Sequence, residues 1–285
     1  MTDYIKSPLN YTGGKYKLLP KILPLFPKDI DRFIDLFCGG CNVAVNVKAN
    51  TYICNDNEPH VIDFMNNIKK LTGEIADIRI SNIVEKYGLS KENQSGFLQC
   101  RADYNSNKTW DMFYATVCHA FNYQIRYNSK GDYNMPFGRN RSCYNEALRQ
   151  KFIKFVDNVT SKFIFTNYDF RQMNFISVGV TELIENDFVY CDPPYLITTA
   201  SYNENGGWTQ QDDLDLMNLL DRLNEVSVKW AMSNVLYHKG KINNKLIEWS
   251  SKYNIYHLDH DYSNCNYHDK TGNNGKSDEV LITNY

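Results

Sequence analysis

The stretch Asp187-Phe188-Val189-Tyr190-Cys191-Asp192-Pro193-Pro194-Tyr195 decides how the chain is read. Its first half is apolar and β-favouring, so a buried strand is expected there. It stops at two prolines, which neither continue a helix nor donate to a sheet ladder. The backbone beyond the strand is therefore stiff and its carbonyls are left free. An acid and an aromatic ring sit with them at the strand's carboxyl end, where ligands bind in open α/β sheets.

The four residues Asp192, Pro193, Pro194 and Tyr195 suit a particular chemistry. The exocyclic amine of a nucleobase offers two N–H donors. The Asp192 carboxylate is placed to accept one and the Pro193 carbonyl the other. Both bonds push electron density onto the nitrogen and aim its lone pair at an incoming group. The Tyr195 ring offers a stacking face to an extruded base. A strand ending in an ordinary Pro-Pro turn accounts for the same four residues, so the rest of the chain has to decide.

A chain of 285 residues can bury a large core and suits one domain with a big insertion or two unequal domains. Its net charge of −2 excludes a polycation, so a nucleic-acid partner needs a local basic patch. The start Met1-Thr2-Asp3-Tyr4-Ile5-Lys6 has no apolar signal core, and no stretch reaches the length of a membrane span. With eight cysteines and no signal peptide, free thiols in a reducing cytoplasm are expected. Cys38-x-x-Cys41 lacks a second pair. His257, His260, Cys265 and His268 have loose zinc-like spacing, but the first two flank a strand end, so no metal is expected.

In chain order, Gly13-Gly14 permits close backbone approach and Lys15 opens a helix expected over 15–25. Residues 32–45 read as a strand, a Gly39-Gly40 turn and a helix of small residues, the opening of a doubly wound sheet. The turn is not Gly-x-Gly-x-x-Gly, so a ligand without pyrophosphate is expected at that helix start. Asp56 follows a second strand, where such folds grip ribose hydroxyls, and it also suits a helix cap for 57–70. Helices are expected over 58–71, 74–87, 90–103 and 109–120, then a strand at 162–167 with Phe170 just beyond it, either against a cofactor's adenine or in the core. After the opening stretch come a polar run at 196–203, a possible lid or phosphate contact, a helix at 211–225, a strand at 229–234, a helix at 241–252 and two late strands at 253–260 and 279–285. The late strands suggest an antiparallel hairpin at the sheet edge.

Residues 119–154 break the acidic trend. Seven Lys and Arg (126, 130, 139, 141, 149, 151 and 154) against Asp132 and Glu146 give +5. Basic and aromatic residues interleave around Asn128-Ser129-Lys130-Gly131-Asp132, which reads as a hairpin. A basic two-stranded ribbon fits the major groove, with Arg126 pairing a guanine and Phe121 wedged into the stack. A solvated basic hairpin is the plainer account. The charge contrast favours DNA.

Asp-Pro-Pro-Tyr is the signature of the amino-methyltransferases of DNA. With Tyr-Thr-Gly-Gly-Lys (11–15), Asp-Leu-Phe-Cys-Gly-Gly (35–40), Asn-Asp (55–56), Ile-Arg-Tyr-Asn (125–128), Pro-Phe-Gly (136–138), Ser-Asn-Val-Leu (233–236) and Asp-Glu-Val (278–280), the chain resembles the Dam family of adenine-N6 DNA methyltransferases, and most of all those of T-even bacteriophages. The resemblance implies a Rossmann-like, S-adenosylmethionine-dependent α/β fold. Residues 1–57 and 158–285 would form its catalytic domain. An inserted, mainly helical target-recognition domain with a β-hairpin would span 58–157. It implies cofactor contacts from Tyr11, Gly13, Gly14, Lys15, Asp35, Phe37, Gly39, Gly40, Asp56, Phe170 and Asp192. It implies catalysis by Asp192, Pro193, Pro194 and Tyr195. Duplex DNA would be contacted by Phe121, Asn122, Gln124, Arg126, Asn128, Lys130, Pro136, Arg139 and Arg141. The family target is GATC. Gln124 stands where relatives carry an apolar residue, and Asn10 where some carry a basic one, so the target is open to change. Transfer is expected to be direct, with no cysteine nucleophile and no obligate protein partner. Competing readings are methylation of cytosine N4 or a glutamine amide, whose enzymes carry Ser or Asn in place of Asp192, and a catalytically silent DNA-binding protein.

Overall fold

A computed structural model describes residues 3–11, 13–172, 186–198, 207–258 and 277–285. In chain order its elements are α1 (Leu19–Ile22), β1 (Arg32–Asp35), β2 (Thr51–Asn55), α2 (Pro59–Ile68), α3 (Gly73–Lys86), α4 (Gln94–Asn107), α5 (Trp110–His119), α6 (Glu146–Asn158) and β3 (Phe163–Thr166). Then follow β4 (Phe188–Cys191), α7 (Gln210–Glu225), β5 (Lys229–His238), β6 (Lys241–Ile242), α8 (Asn244–Ser250), β7 (Asn254–His257) and β8 (Ser277–Thr283). The chain divides into two compact units, one of residues 1–16, 38–46 and 56–167, the other of 17–37, 47–55 and 168–285.

The second unit is built on β4, whose four residues are all buried. Alternate side chains of a strand face opposite ways, so a strand covered on both faces needs apolar residues throughout. Phe188 and Tyr190 meet Phe26 at ring separations of 4.8 and 5.4 Å. Val189 and Cys191 belong to the opposite core, with Leu216, Met217 and Leu220 of α7. The strand order within this unit is β2-β1-β4-β5-β8-β7, with β6 on β5. Pairs β1–β2, β1–β4 and β4–β5 are parallel, whereas β8 lies antiparallel to both β5 and β7. This is a Rossmann-like α/β fold with a mostly parallel central sheet. The expected late hairpin is present, with β8 inside it and β7 beyond.

The first unit is mainly helical. Phe64, Phe113, Tyr114 and Phe152 bring rings from α2, α5 and α6 together at 4.5–6.2 Å. Thr72 and Asn145 cap α3 and α6 by accepting from Ile75 and Leu148 N–H groups.

Four sequence expectations are corrected. The helix over 15–25 is broken into 3-10 turns at Lys15–Leu18 and Leu23–Leu25 around the four-residue α1. The helix after Gly40 shrinks to a 3-10 turn, Ala44–Asn46. Cys41 has φ 60 there, and the Asn42 and Asn46 side-chain oxygens accept N–H groups of Ser7 and Ile5. Those side chains compete with the helical ladder. The α4 helix starts at Gln94 rather than 90, because Asn93 is its cap. The helix over 241–252 begins only at Asn244, because the positive φ of Lys239 and Gly240 turns Lys241–Ile242 back onto β5. The polar run at 199–203 lies outside the described residues.

Arg32 pins β1 to β4 at their amino ends. Its Nε and Nη2 donate to the two Asp187 oxygens at 2.7 and 2.5 Å, and Asp187 is fully buried. The hydrogen bond to Asp187 raises the Arg32 pKa against the opposing effect of burial. Replacing Arg32 by Met strands a buried carboxylate. Urea unfolding of Arg32→Met is expected to show a loss of roughly 3 kcal/mol. The double change Arg32→Met/Asp187→Leu is expected to recover most of it.

Candidate active site

In the first unit the Gly39-Gly40 loop is closed by Asp56. Its Oδ2 accepts the Gly39 N–H at 2.8 Å and its Oδ1 the Glu58 N–H at 2.9 Å. Gly39 has φ 46, and a Cβ there would sit 3.4 Å from the Tyr11 ring. A Cβ on Gly40 would come within 2.8 Å of Ser7 Oγ. Tyr11, Gly39, Gly40 and Asp56 are thus brought together. The positive φ of Gly39 and the close approach of Ser7 to Gly40 favour glycine at both positions. Gly14 N–H donates to the Tyr11 carbonyl at 3.2 Å and Lys15 Nζ to the Gly13 carbonyl at 2.9 Å, so these residues close the turn that carries Tyr11. Asp56 is not the helix cap. Glu58 is, and it accepts from His60 N–H. Burial pushes the Asp56 carboxyl above its usual range, against the pull of its backbone donors. Burial likewise pushes Glu58 up to about 7. A carboxylate has roughly four lone-pair sites, so Asp56 can hold the loop and still accept from a ligand hydroxyl.

In the second unit Asp192 follows β4 directly. Asp35, 2% exposed, ends β1 beside it in the sheet. The sheet runs to β2 on one side of β1 and to β4 and β5 on the other, so both acids stand at a topological switch point. The Tyr195 hydroxyl lies 3.2 Å from Asp192 Oδ1 and 3.0 Å from Glu279 Oε1. Phe37 packs against Phe170 at 5.4 Å and Trp208 at 5.6 Å. Phe170 is only 6% exposed and sits in the core, so half-buried Phe37 is the ring of the pair with more open face. Cys191 is buried, and burial raises its thiol well above the ordinary range, which disfavours a thiolate. Trp208 had no place in the sequence reading, and Glu279 entered it only within Asp-Glu-Val (278–280), with no role of its own. The signal for Glu279 is a buried carboxylate leading the apolar run of β8.

The basic segment belongs to the first unit. The expected ribbon is reduced to isolated bridges, Tyr127 with Tyr133 and Ala120 with Phe137. Asn128 Oδ1 accepts the N–H groups of Lys130 and Asp132, both at 2.9 Å, so that side chain holds the turn. Arg126 is exposed and donates to Asn134 Oδ1 at 2.8 Å, which presents its guanidinium. Arg141 lies 5.5 Å over the ring of Phe121, itself 37% exposed. Arg139 reaches Gln94 Oε1 at 2.6 Å. Tyr133 Oη donates to the Gln124 carbonyl, and the Phe121 N–H to that of exposed Pro136. Asn122 and Tyr123 both have positive φ, 55 and 56, and Asn10 donates to the Asn122 carbonyl. The +5 of the sequence overstates the available charge, because Arg149 pairs with Asp77 and Lys154 with Asp3.

His257 pairs with Asp278 at 2.8 Å, and the other three residues of its cluster lie outside the described residues. No helix among the described residues is long and apolar enough to cross a membrane.

Comparison with known proteins follows this geometry. The profile of the D12 class N6 adenine-specific DNA methyltransferases matches residues 11–264. The Type II methyltransferase M.FokI of Planomicrobium okeanokoites is 48% identical over 99% of this chain and 43% of its own length. The modification methylase StsI of Streptococcus sanguinis is 42% identical, again over 99% of this chain and 43% of its own. The chain therefore spans less than half the length of these relatives. The DNA adenine methylase of Escherichia coli (strain K12) is 26% identical over 79% of each chain. The expected likeness to T-even bacteriophage enzymes thus gives way to a likeness to bacterial modification methylases. On this match and these identities, the chain belongs to the D12 class of N6 adenine-specific DNA methyltransferases.

Proposed function

We propose that this chain transfers a methyl group from S-adenosylmethionine to the N6 amine of an adenine turned out of duplex DNA. One observation carries the reading: Asp192-Pro193-Pro194-Tyr195 stands at the carboxyl end of a fully buried strand, at the switch point of the sheet. When bound, the cofactor supplies an electrophilic methyl on a sulfonium. The residues fit it. The glycine loop lets the backbone approach a ligand closely, the Phe37 ring suits a purine face, and Asp56 keeps acceptor capacity for ribose hydroxyls. On the family resemblance we assign Tyr11, Gly13, Gly14, Lys15, Asp35, Phe37, Gly39, Gly40, Asp56, Phe170 and Asp192 to it.

Asp192 and the Pro193 carbonyl hold the two N6 hydrogens, which aims the nitrogen lone pair, and Tyr195 supports the base. Such positioning replaces a covalent step. Residues 1–57 and 158–285 form the catalytic part in this reading, and 58–157 read the target. Arg126 and Pro136 meet bases there. Phe121 fills the space left by the base, and Asn122, Gln124, Asn128, Lys130, Arg139 and Arg141 line the duplex. GATC is the proposed target. It rests on the Dam resemblance, with support from the 26% identity to a DNA adenine methylase.

Asp192→Ala is expected to abolish methyl transfer in a labelled-donor assay while duplex binding stays within about threefold. Wild-type turnover by this variant would sink the assignment. Arg126→Ala is expected to lose discrimination between cognate and non-cognate duplexes by about 1–3 kcal/mol, with cofactor affinity unchanged. Equal losses on both duplexes would remove Arg126 from base reading. Long-read methylation mapping of DNA from cells expressing the gene is expected to report N6-methyladenine within GATC. The same mark in another sequence would move the target and keep the reaction.

A further inference from the structure

The buried carboxylate of Glu279 lies outside every role assigned so far. It is 2% exposed and sits on β8 opposite Val235 of β5. Its flanking run Val280-Leu281-Ile282 is wholly buried and apolar. A carboxylate at such a position costs several kcal/mol to desolvate, far more than an apolar side chain. Glu279 Oε1 is 3.0 Å from the Tyr195 hydroxyl, and that hydroxyl is 3.2 Å from Asp192 Oδ1.

A phenol has one proton to donate. The Tyr195 hydroxyl faces two carboxylate oxygens and can donate fully to only one at a time. The shorter contact is to Glu279. A hydroxyl turned towards Glu279 leaves Asp192 with more electron density and makes it the stronger acceptor for a substrate N–H. It also ties the far end of the Tyr195 ring to β8, which fixes the ring plane. Without the Glu279 charge the same proton turns to Asp192 and weakens it as an acceptor.

We propose that Glu279 is a positioning residue for the methyl-acceptor site: it draws the Tyr195 hydroxyl to itself, and so orients the ring and keeps Asp192 a full acceptor. This inference rests on the proposed role of Asp192 and Tyr195 in holding the adenine amine.

The test is a double-mutant cycle on the intact chain, using steady-state methyl transfer from labelled S-adenosylmethionine to a cognate duplex. Glu279→Gln keeps the shape and removes the charge. It is expected to lower kcat about tenfold, the order of one lost charge-assisted hydrogen bond, with KM for donor and duplex within about twofold. Tyr195→Phe is expected to lower kcat similarly. In the Tyr195→Phe background, Glu279→Gln is expected to cost less than about twofold, because the hydroxyl it acts through is gone. A wild-type kcat for Glu279→Gln would overturn the proposal, as would equal losses in both backgrounds or a loss confined to donor KM. If Glu279→Gln does not fold, Tyr195→Phe decides. A wild-type kcat there overturns the proposal, and a loss of about tenfold at unchanged donor affinity by calorimetry supports it. The Asp192→Ala control separates the two levels. An active Asp192→Ala enzyme removes the acceptor-site reading itself. An inactive one beside a normal Glu279→Gln removes only the role of Glu279.

Discussion

Strand β4 cannot slide, and the chemistry assigned to this chain depends on that. Shifting its register by one residue would turn Phe188 and Tyr190 towards α7 and send Val189 and Cys191 among the rings of Phe26 and Phe33. It would also part Asp187 from Arg32. Parallel neighbours on both sides, β1 and β5, bond the strand throughout. The position of Asp192 is therefore set by the packing of a whole sheet rather than by the loop in which it stands. The two prolines that follow carry that rigidity one step further, since their φ is fixed by the ring.

The charges of this unit divide by strand end. At the amino end of β4, Asp187 is closed by a guanidinium. At the carboxyl end stand Asp35, Asp192 and, beside Tyr195, Glu279. Their field is felt by the residues between them: after burial itself, Asp192, Asp35 and Glu279 push the Tyr190 hydroxyl up, and Asp35 and Asp192 the Cys191 thiol. An end so acidic repels phosphate and suits a donor that carries positive charge on sulfur. The missing Gly-x-Gly-x-x-Gly fingerprint points the same way. The first unit completes this logic differently. There the glycine loop is held by the carboxylate of Asp56, which organises the loop in addition to offering acceptors.

Much of this was legible in the sequence where one physical rule dominates. An apolar run stopped by Pro-Pro leaves few choices, and β4 was read from it to within a residue. The helices α2 to α5 and α7 show three- and four-residue spacing and are expected from it, whereas α6 falls where only a basic hairpin segment is expected. Several misses come from side chains that bond far along the chain. Asn42 and Asn46 tie residues 41–46 to the segment near Ile5 and Ser7, and so cancel a helix that composition favours. The basic arch shows alternation, but its backbone bonds, such as Asn128 N–H to the Asp132 carbonyl and Asn134 N–H to the Arg126 carbonyl, form no continuous ladder, and Asn128 and Tyr133 side chains complete the closure. Its net charge was overcounted because Asp77 and Asp3 lie 72 and 151 residues away in sequence from their partners. Glu279 was visible as a charge inside a strand, but its link to Tyr195 spans 84 residues.

The nature of the transfer follows from what surrounds the acceptor. A covalent route needs a nucleophile whose proton leaves easily, and the thiol adjoining Asp192 is the wrong kind. Cys191 is buried and its pKa is driven up by desolvation and by two acids. An amine lone pair, by contrast, needs no deprotonation before attack. It needs only to be freed from conjugation with the ring and aimed, and acceptors fixed to a rigid strand can do both. A carboxylate that is stiffly held therefore does more for the proposed reaction than a stronger base on a mobile loop would. That is why a buried sheet, costly as its acids are, is a suitable place to build the site.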